Sequence, residues 1–488
     1  MVETVVRWLL LLVVSGASLL SAYVVAPRFR VTTRMSERWL VTLILAHGFA
    51  FSAFWAVSFV SAFDEVWASV AVILVAGVMA IFFGQWRRLK YIKLDARRLV
   101  RALPRPSNSF VLLGVVVVAL AALSVSISHI LYYPTWSWDC VWYHLAQSRY
   151  IVQERSMHYW VDTPVGYING YPRLIETFSA FTLAVLRSET LDDATQLSWT
   201  VVGAVAIAAW CRRLQVSRTL SLALGLSWIL LPAVFLQIHT THADIAAGAL
   251  FVAMQYFLWE PKASSKQLVM ATVCAGLLLS AKVTGILWVG LSAPIALVQL
   301  SRSLQKGRWR QWRLAQVFIV VLALGIGLTQ PIRNMIHMGN PVYPASIQIP
   351  LTNIKLPGPI DENAVSGGLS FLRSPNAVKD IVAKWYREPG VPFPDIRERP
   401  FGRTFNYFTL PLAVIGLVFG FRRKRWQSVG VFFLAAASIM SPAPWWGRYV
   451  LGVPAAALVA SGAMFELFRR RVRVLSFVGM AILSAGVS

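Results

Sequence analysis

Acidic residues are scarce in this chain. Asp and Glu number 21 among 488 residues, and charged residues of both signs make up only 14%. An ordinary soluble domain carries about 25%, so the composition excludes one. Cysteine is scarcer still. Cys140, Cys211 and Cys274 are too few and too widely spaced for a zinc ligand set or a disulfide framework. Short segments of alternating hydrophobicity, the mark of a membrane β-barrel, are missing. So are internal repeats, linkers and any polar stretch that could form a separate soluble domain.

Apolar residues fill the chain instead, at 57%. Long runs occur at 8–27, 38–60, 66–84, 109–131, 219–236, 244–259, 314–332 and 404–421, several of them matching the roughly 17–25 residues of a spanning helix. Further runs at 196–211, 267–300, 427–440, 447–468 and 474–488 bring the expectation to about 13–15 spans. The run at 267–300 is interrupted by Lys282 and Gly285 and reads as a helical hairpin. The fold class is therefore an all-α polytopic membrane protein.

The 46 basic residues leave a net charge of +25. They sit in short blocks between apolar runs: Arg87, Arg88, Lys90, Lys93, Arg97, Arg98, Arg101 and Arg105, then Arg212 and Arg213, then 306–313, 422–425 and 469–473. That is the positive-inside pattern. It points to orientation and contact with anionic membrane lipids, and to no nucleic acid. The first apolar run has no basic cluster before it, while Arg28, Arg30 and Arg34 follow it. It reads as a retained span with its start outside. Run 109–130 then crosses outward, which makes 131–195 and 333–403 two large non-cytoplasmic loops. The division that follows is 1–108 (three helices and a basic cytoplasmic loop), 109–332 (a transmembrane core), 333–403 (outer loop) and 404–488 (final helices). The apolar stretch 174–187 is short; it either crosses or stays at the outer face, and only the second keeps the charge rule throughout.

Polar residues gather on that outer side. Asp139 and His144 follow an aromatic belt of Tyr132, Tyr133, Trp136 and Trp138. Glu154, Asp162, Arg173, Glu176, His239, His242 and Asp244 come next, then Lys282, Arg333, Asn340, Tyr343 and Arg448 from later segments. Ionisable groups at a hydrocarbon boundary are costly and read as functional. Plainer readings stand beside this one. Asp139 suits a helix cap, and Lys282 could simply reach out to water along its apolar stem. On an α-helix Asp139 and His144 lie about 140° apart, so they need not touch. Arg448 and Lys282 have the chemistry to hold phosphate. Paired carboxylates could hold Mg2+ or Mn2+, with no spacing that defines a metal site.

Five stretches recur in order over the middle half of the chain: WDCVWYHLAQ (138–147), GYPRLIETF (170–178), HADIAAGALFVAMQYFL (242–258), LLLSAKVTGIL (277–287) and PIRNMIHMGNPVYP (331–344). Together they resemble polytopic membrane glycosyltransferases of the GT-C fold, in the bacterial branch akin to protein O-mannosyltransferases and lipopolysaccharide core transferases. The resemblance implies a GT-C-like helix bundle with two large outer loops, its core starting near 109 and the first three helices being additional. It implies a bacterial inner-membrane enzyme, a hexosyl or pentosyl transferase, with its site facing the periplasm or exterior. The donor would be a polyprenyl-phosphate sugar, the acceptor a glycan, lipid or protein. The acidic residue after the first core span is catalytic in the family and matches Asp139; Glu154, Asp162, Glu176 and Asp244 compete for a second acidic role. In that scheme Asp139 is a general base assisted by His144. Lys282, Arg448 and Arg173 stabilise the phosphate, and His242, Asp244, Glu176 and Tyr343 bind substrate. The alternatives are a transporter or flippase of lipid-linked or small solutes, which would carry repeats and midplane polar groups, and a non-catalytic partner in envelope assembly.

Overall fold

The structure is a computed structural model that describes residues 2–29, 34–102, 110–161, 163, 165–261, 264–304, 314–348, 352, 354–360, 376–387, 399–422 and 426–467. Asp162, Arg105, the basic blocks at 306–313 and 469–473, most of 422–425, the run 474–488 and much of the 333–403 loop lie outside the described residues.

Among the described residues the chain is an all-α bundle, with one two-stranded hairpin, β1 (Ile347–Gln348) and β2 (Lys355–Leu356), as the exception. Among the described residues eight helices are long and apolar enough to cross a membrane: Val2–Arg28, Met35–Phe59, Glu65–Phe83, Leu112–Tyr132, Glu189–Arg213, Thr284–Leu304, Gln316–Met338 and Gly402–Arg422. Five shorter apolar helices accompany them.

Helices α1 (Val2–Val25), α2 (Met35–Phe59) and α3 (Glu65–Phe83) pack on one another. The amphipathic α4 (Lys90–Ala102) is tied beneath them, where its Asp95 pairs with Arg38 of α2 and accepts from Tyr23 of α1 at 2.9 Å. The basic end of the bundle is thereby fixed at the Met35 end of α2. Arg213, at the end of α8 (Thr195–Arg213), reaches the same level and meets Glu37 at 3.7 Å and Glu260 at 3.2 Å. The far end of α2 meets the loop that follows α5 (Phe110–Tyr132) and α6 (Leu145–Gln153): Phe63 N donates to Arg155 O at 2.9 Å. The chain therefore has a basic end and an opposite end that carries the large loops.

That framework places α7 (Leu174–Leu186). Arg187 at its end pairs with Glu65 at 2.8 Å, and Arg7 of α1 donates to Val185 O at 2.8 Å. Arg173 at its start lies beside Ser58, near the same end of α2. Both ends of α7 therefore sit at the loop-bearing end, and the stretch 174–187 does not cross. Ordinary charge pairing decided what the run's length left open.

The expected single span 219–236 is broken in two. Helix α9 (Arg218–Ser227) ends in turns, and α10 (Pro232–Phe235) restarts the chain. Pro232 has no N–H to continue a helix and pushes Leu231 to an extended backbone, at ψ 129°.

Helix α11 (Asp244–Leu258) is buried at every position, as a helix apolar on all sides must be. It packs against α8, α12 (Ser265–Ala281), α13 (Thr284–Leu304), α17 (Trp426–Ile439) and α18 (Gly452–Leu467); α14 (Leu314–Met338), α15 (Ala377–Tyr386) and α16 (Gly402–Arg422) complete the bundle. At about 1.5 Å per residue, α11 is near 22 Å long, short of the roughly 30 Å hydrocarbon layer. The expected break within 267–300 falls at Lys282, where the backbone is extended between α12 and α13. Helices α12 and α14 approach most closely at two glycines: a methyl on Gly276 would stand 2.2 Å from Ala323 O, and one on Gly327 would meet Gly276 at 2.7 Å. Without a hydrophobic force between helices in lipid, such close contact is what holds them. Gly276→Ala is expected to destabilise the protein by about 1–3 kcal/mol, measured by thermal unfolding in detergent; Gly290→Ala, with nothing within 4 Å of the added methyl, should be neutral.

Candidate active site

Asp139 does not cap a helix: its side chain makes no capping bond. The turn that follows, Cys140–His144, is a π-turn, with Leu145 N bonded to Cys140 O five residues back. A π-turn needs more than four residues per revolution, which brings positions five apart toward one face. Asp139 and His144 therefore line the same cavity, which the α-helical spacing did not foresee.

The cavity holds about 410 Å³. Asp139, His144, Asp244, Lys282 and Arg448 all line it, with Tyr143, Tyr171, Thr284, Trp446 and Tyr449. Helices α11 and α13 both begin there, at Asp244 and Thr284, and α12 ends there at Ala281. Helix N-termini carry partial positive charge and favour anions.

Four charges alternate across it. Arg448 meets Asp139 at 2.8 Å and Asp244 at 3.9 Å, and Lys282 donates to Asp244. The Lys282 ammonium also lies 3.9 Å from the centre of the Tyr449 ring, a cation–π contact. Burial is the largest single influence on Asp139 and opposes its charge, but the surrounding groups, Arg448 first among them, together outweigh it and hold the carboxyl at about 2, below its usual value of 3.8. His144 is bonded through Nδ1 to the buried Glu176, which fixes its ring from behind.

His242 stands outside the lining. Its Nδ1 faces Gln237 Oε1 at 3.2 Å and its Nε2 faces Ser137 Oγ at 2.8 Å. Burial pushes its pKa down to about 3. The ring is therefore neutral at physiological pH, donating through Nδ1 and accepting from Ser137, and it positions the backbone between Asp139 and Asp244 without touching the cavity.

Of the other residues expected here, Tyr343 and Arg173 do not line the cavity. Tyr343 packs behind its wall, where a methyl on Gly170 would meet the ring at 2.5 Å. Arg173 points the other way, donating to Met157 O, to His158 O and Asn169 Oδ1 at 3.0 Å, and lying over Trp160. Glu154 and His239 are likewise absent from the lining. Sequence reasoning passed over Tyr449 and Thr284. The former follows Arg448 directly and the latter opens a helix two residues after Lys282, which were the signals available.

Among the described residues no group of three or more His, Cys, Asp or Glu side chains is arranged to hold a metal ion. Asp139 and Asp244, the carboxylates an Mg2+ or Mn2+ would use, each meet a cationic side chain instead.

No family model matches the chain, and no curated protein sequence matches it. Among solved structures, ArnT from Cupriavidus metallidurans in the apo state is similar, with 17% identity, 76% of this chain and 63% of that chain covered, and a TM-score of 0.45. The same protein bound to undecaprenyl phosphate gives 16% identity, the same coverage and a TM-score of 0.46. The chain thus spans less than two thirds of the protein it matches.

Removing one member of a buried charge pair leaves the other uncompensated, which commonly costs more than removing both. Asp244→Ala is expected to lower the unfolding temperature more than the double change Asp244→Ala with Lys282→Met. The double-mutant cycle should show a coupling of at least about 1 kcal/mol; additive effects would deny the pairing.

Proposed function

We propose that the cavity transfers a sugar from a polyprenyl-phosphate donor to a hydroxyl of a glycan, lipid or protein acceptor. The observation that carries this reading is one cavity in which a carboxylate, Asp139, shares the wall with two cations, Lys282 and Arg448, at the start of two helices, an arrangement with the chemistry to hold phosphate. The sequence resemblance to GT-C glycosyltransferases supplies the reaction class. The positive-inside pattern supports a site on the non-cytoplasmic face.

In this mechanism the acceptor oxygen attacks the anomeric carbon as the bond from that carbon to the phosphate oxygen breaks, with inversion. Asp139 takes the acceptor proton. The lipid phosphate leaves as an anion and is stabilised by Lys282, Arg448 and the N-terminus of α13. Thr284 Oγ1 has no partner among the described residues and is available to donate to it.

The same contacts make basicity depend on the donor. Without a donor, Arg448 holds Asp139 near 2, which leaves it a poor base. A phosphate that draws Arg448 and Lys282 to itself releases Asp139 from that hold, and its pKa rises toward the working range. A site that strengthens its base only when the donor is bound suppresses proton abstraction in the absence of a sugar to transfer.

Three outcomes check this. Asp139→Asn should lower transfer from a radiolabelled polyprenyl-phosphate sugar by about 10²–10⁴-fold while leaving thermal unfolding little changed; an unaltered rate removes Asp139 from the chemistry. Lys282→Ala should raise the KM for donor more than it lowers kcat. The pH profile should split: kcat/KM for the donor reports the free enzyme, in which Asp139 stays ionised down to about 2. Asp139 should therefore impose no acid limb on it from pH 4 upward, whereas kcat, which reports the donor complex, should fall at a higher pH. An acid limb in kcat/KM at or above that in kcat contradicts the release of the base.

A further inference from the structure

Arg173 and Arg333 meet on the other side of the wall that carries Tyr171. With Ser58, His158, Thr329 and Gln330 they line a second pocket of about 70 Å³, between the end of α2, the middle of α14 and the segment 157–173. Among the described residues neither guanidinium pairs with a carboxylate within 4.0 Å. Every acceptor they use is neutral: Met157 O takes a hydrogen bond from both, Arg173 also binds His158 O and Asn169 Oδ1, and Arg333 binds Gln330 Oε1 and, at 3.3 Å, Asn169 O. The nearest acidic influence on Arg173 is Glu176, which is itself bonded to His144.

Among the described residues, three buried donors on side chains that line this pocket have no partner: Nε of Arg173, Nε of Arg333 and Oγ of Ser58. Arg173 is only 4% exposed and Ser58 only 1%. A buried donor left unmet costs free energy, and two neighbouring cations without an anion cost more. A tetrahedral oxyanion meets all of these requirements at once, because its oxygens accept from planar guanidinium forks and from a hydroxyl together. The volume admits a single phosphate-sized group and is far below that of the first cavity.

The surroundings narrow the source. Phe59 of α2 and Ile332 and Ile336 of α14, beside the pocket in sequence, are more than half exposed on the outside of the bundle, where hydrocarbon would lie. We propose that this pocket is a phosphate-binding site, distinct from the cavity of Asp139, and that it takes either the headgroup phosphate of a membrane lipid or free phosphate. Its position joins the first three helices to the core, so the anion would bind those two parts to each other.

The test uses the full chain, purified in detergent and stripped of lipid, with the unfolding temperature read during titration. The probes are inorganic phosphate, dioctanoyl phosphatidate and, as the phosphate-free counterpart, dioctanoylglycerol. A saturable rise with a phosphate-bearing probe and none with dioctanoylglycerol is expected. Phosphatidate acting at much lower concentration than inorganic phosphate identifies the lipid as the source; equal potency identifies the free ion. Measured in the Lys282→Ala background, so that the first cavity does not contribute, Arg333→Gln should abolish the rise. Ser58→Ala removes no bond made within the chain, so it should fold normally and weaken phosphate about tenfold, the worth of one hydrogen bond to a charged group. It decides the matter alone if Arg333→Gln does not fold. The rise should survive Lys282→Ala, which perturbs only the first cavity. No rise with either phosphate probe, or a rise unchanged by both Arg333→Gln and Ser58→Ala, overturns the proposal.

Discussion

A charge beside hydrocarbon must be answered by another charge, and that requirement organises this molecule. Asp139, Arg448, Asp244 and Lys282 come from four separate segments, and none could be held there alone at modest cost. Each is acceptable because the next is present. The apolar helices supply the mass of the fold, but the alternating chain of charges fixes how the ends of α11, α12 and α13 meet the turn after α5 and the turn before α18. A second set of pairs, Arg38 with Asp95 and Arg213 with Glu37 and Glu260, does the same at the basic end. Packing in the apolar middle can then rely on close approach, as at Gly276 and Gly327.

Much of this was legible in the sequence, for reasons specific to lipid as a solvent. Apolar length gave the long helices, and basic blocks gave a polarity that the pairing of Arg213 with Glu37, and of Arg38 with Asp95, at one end of α2 agrees with. Asp139, His144, Asp244, Lys282 and Arg448 stood out because charge is rare in such surroundings, and the structure brings these five together. What was not legible depended on local backbone. The 140° separation of Asp139 and His144 holds for an α-helix and fails for the π-turn that the chain forms. Arg173 carried the right charge in the right loop, yet a reading of the sequence has no means of telling which side of a wall one residue thick its side chain takes. Pro232 was visible and was passed over because apolar length dominated the reading of 219–236.

The neutral His242 and the bonded His144 illustrate a division of labour that polarity alone does not reveal. Both are buried histidines within reach of acidic groups. One reaches the cavity and is steadied by Glu176; the other spends both nitrogens on Gln237 and Ser137 and contributes only shape. Residue type sets what a side chain can do, and its partners set whether it is free to do it.

Asn169 gathers an unusual number of bonds: its amide exchanges two with Trp160, its Oδ1 accepts from Arg173, and its carbonyl accepts from Gln330 and Arg333. Two of these five, from Gln330 and Arg333, tie the Asn169 backbone to α14, and the other three hold it to Trp160 and Arg173. The long lipid tail of the proposed donor would need a door, and a segment anchored at both its side chain and its backbone makes a poor one.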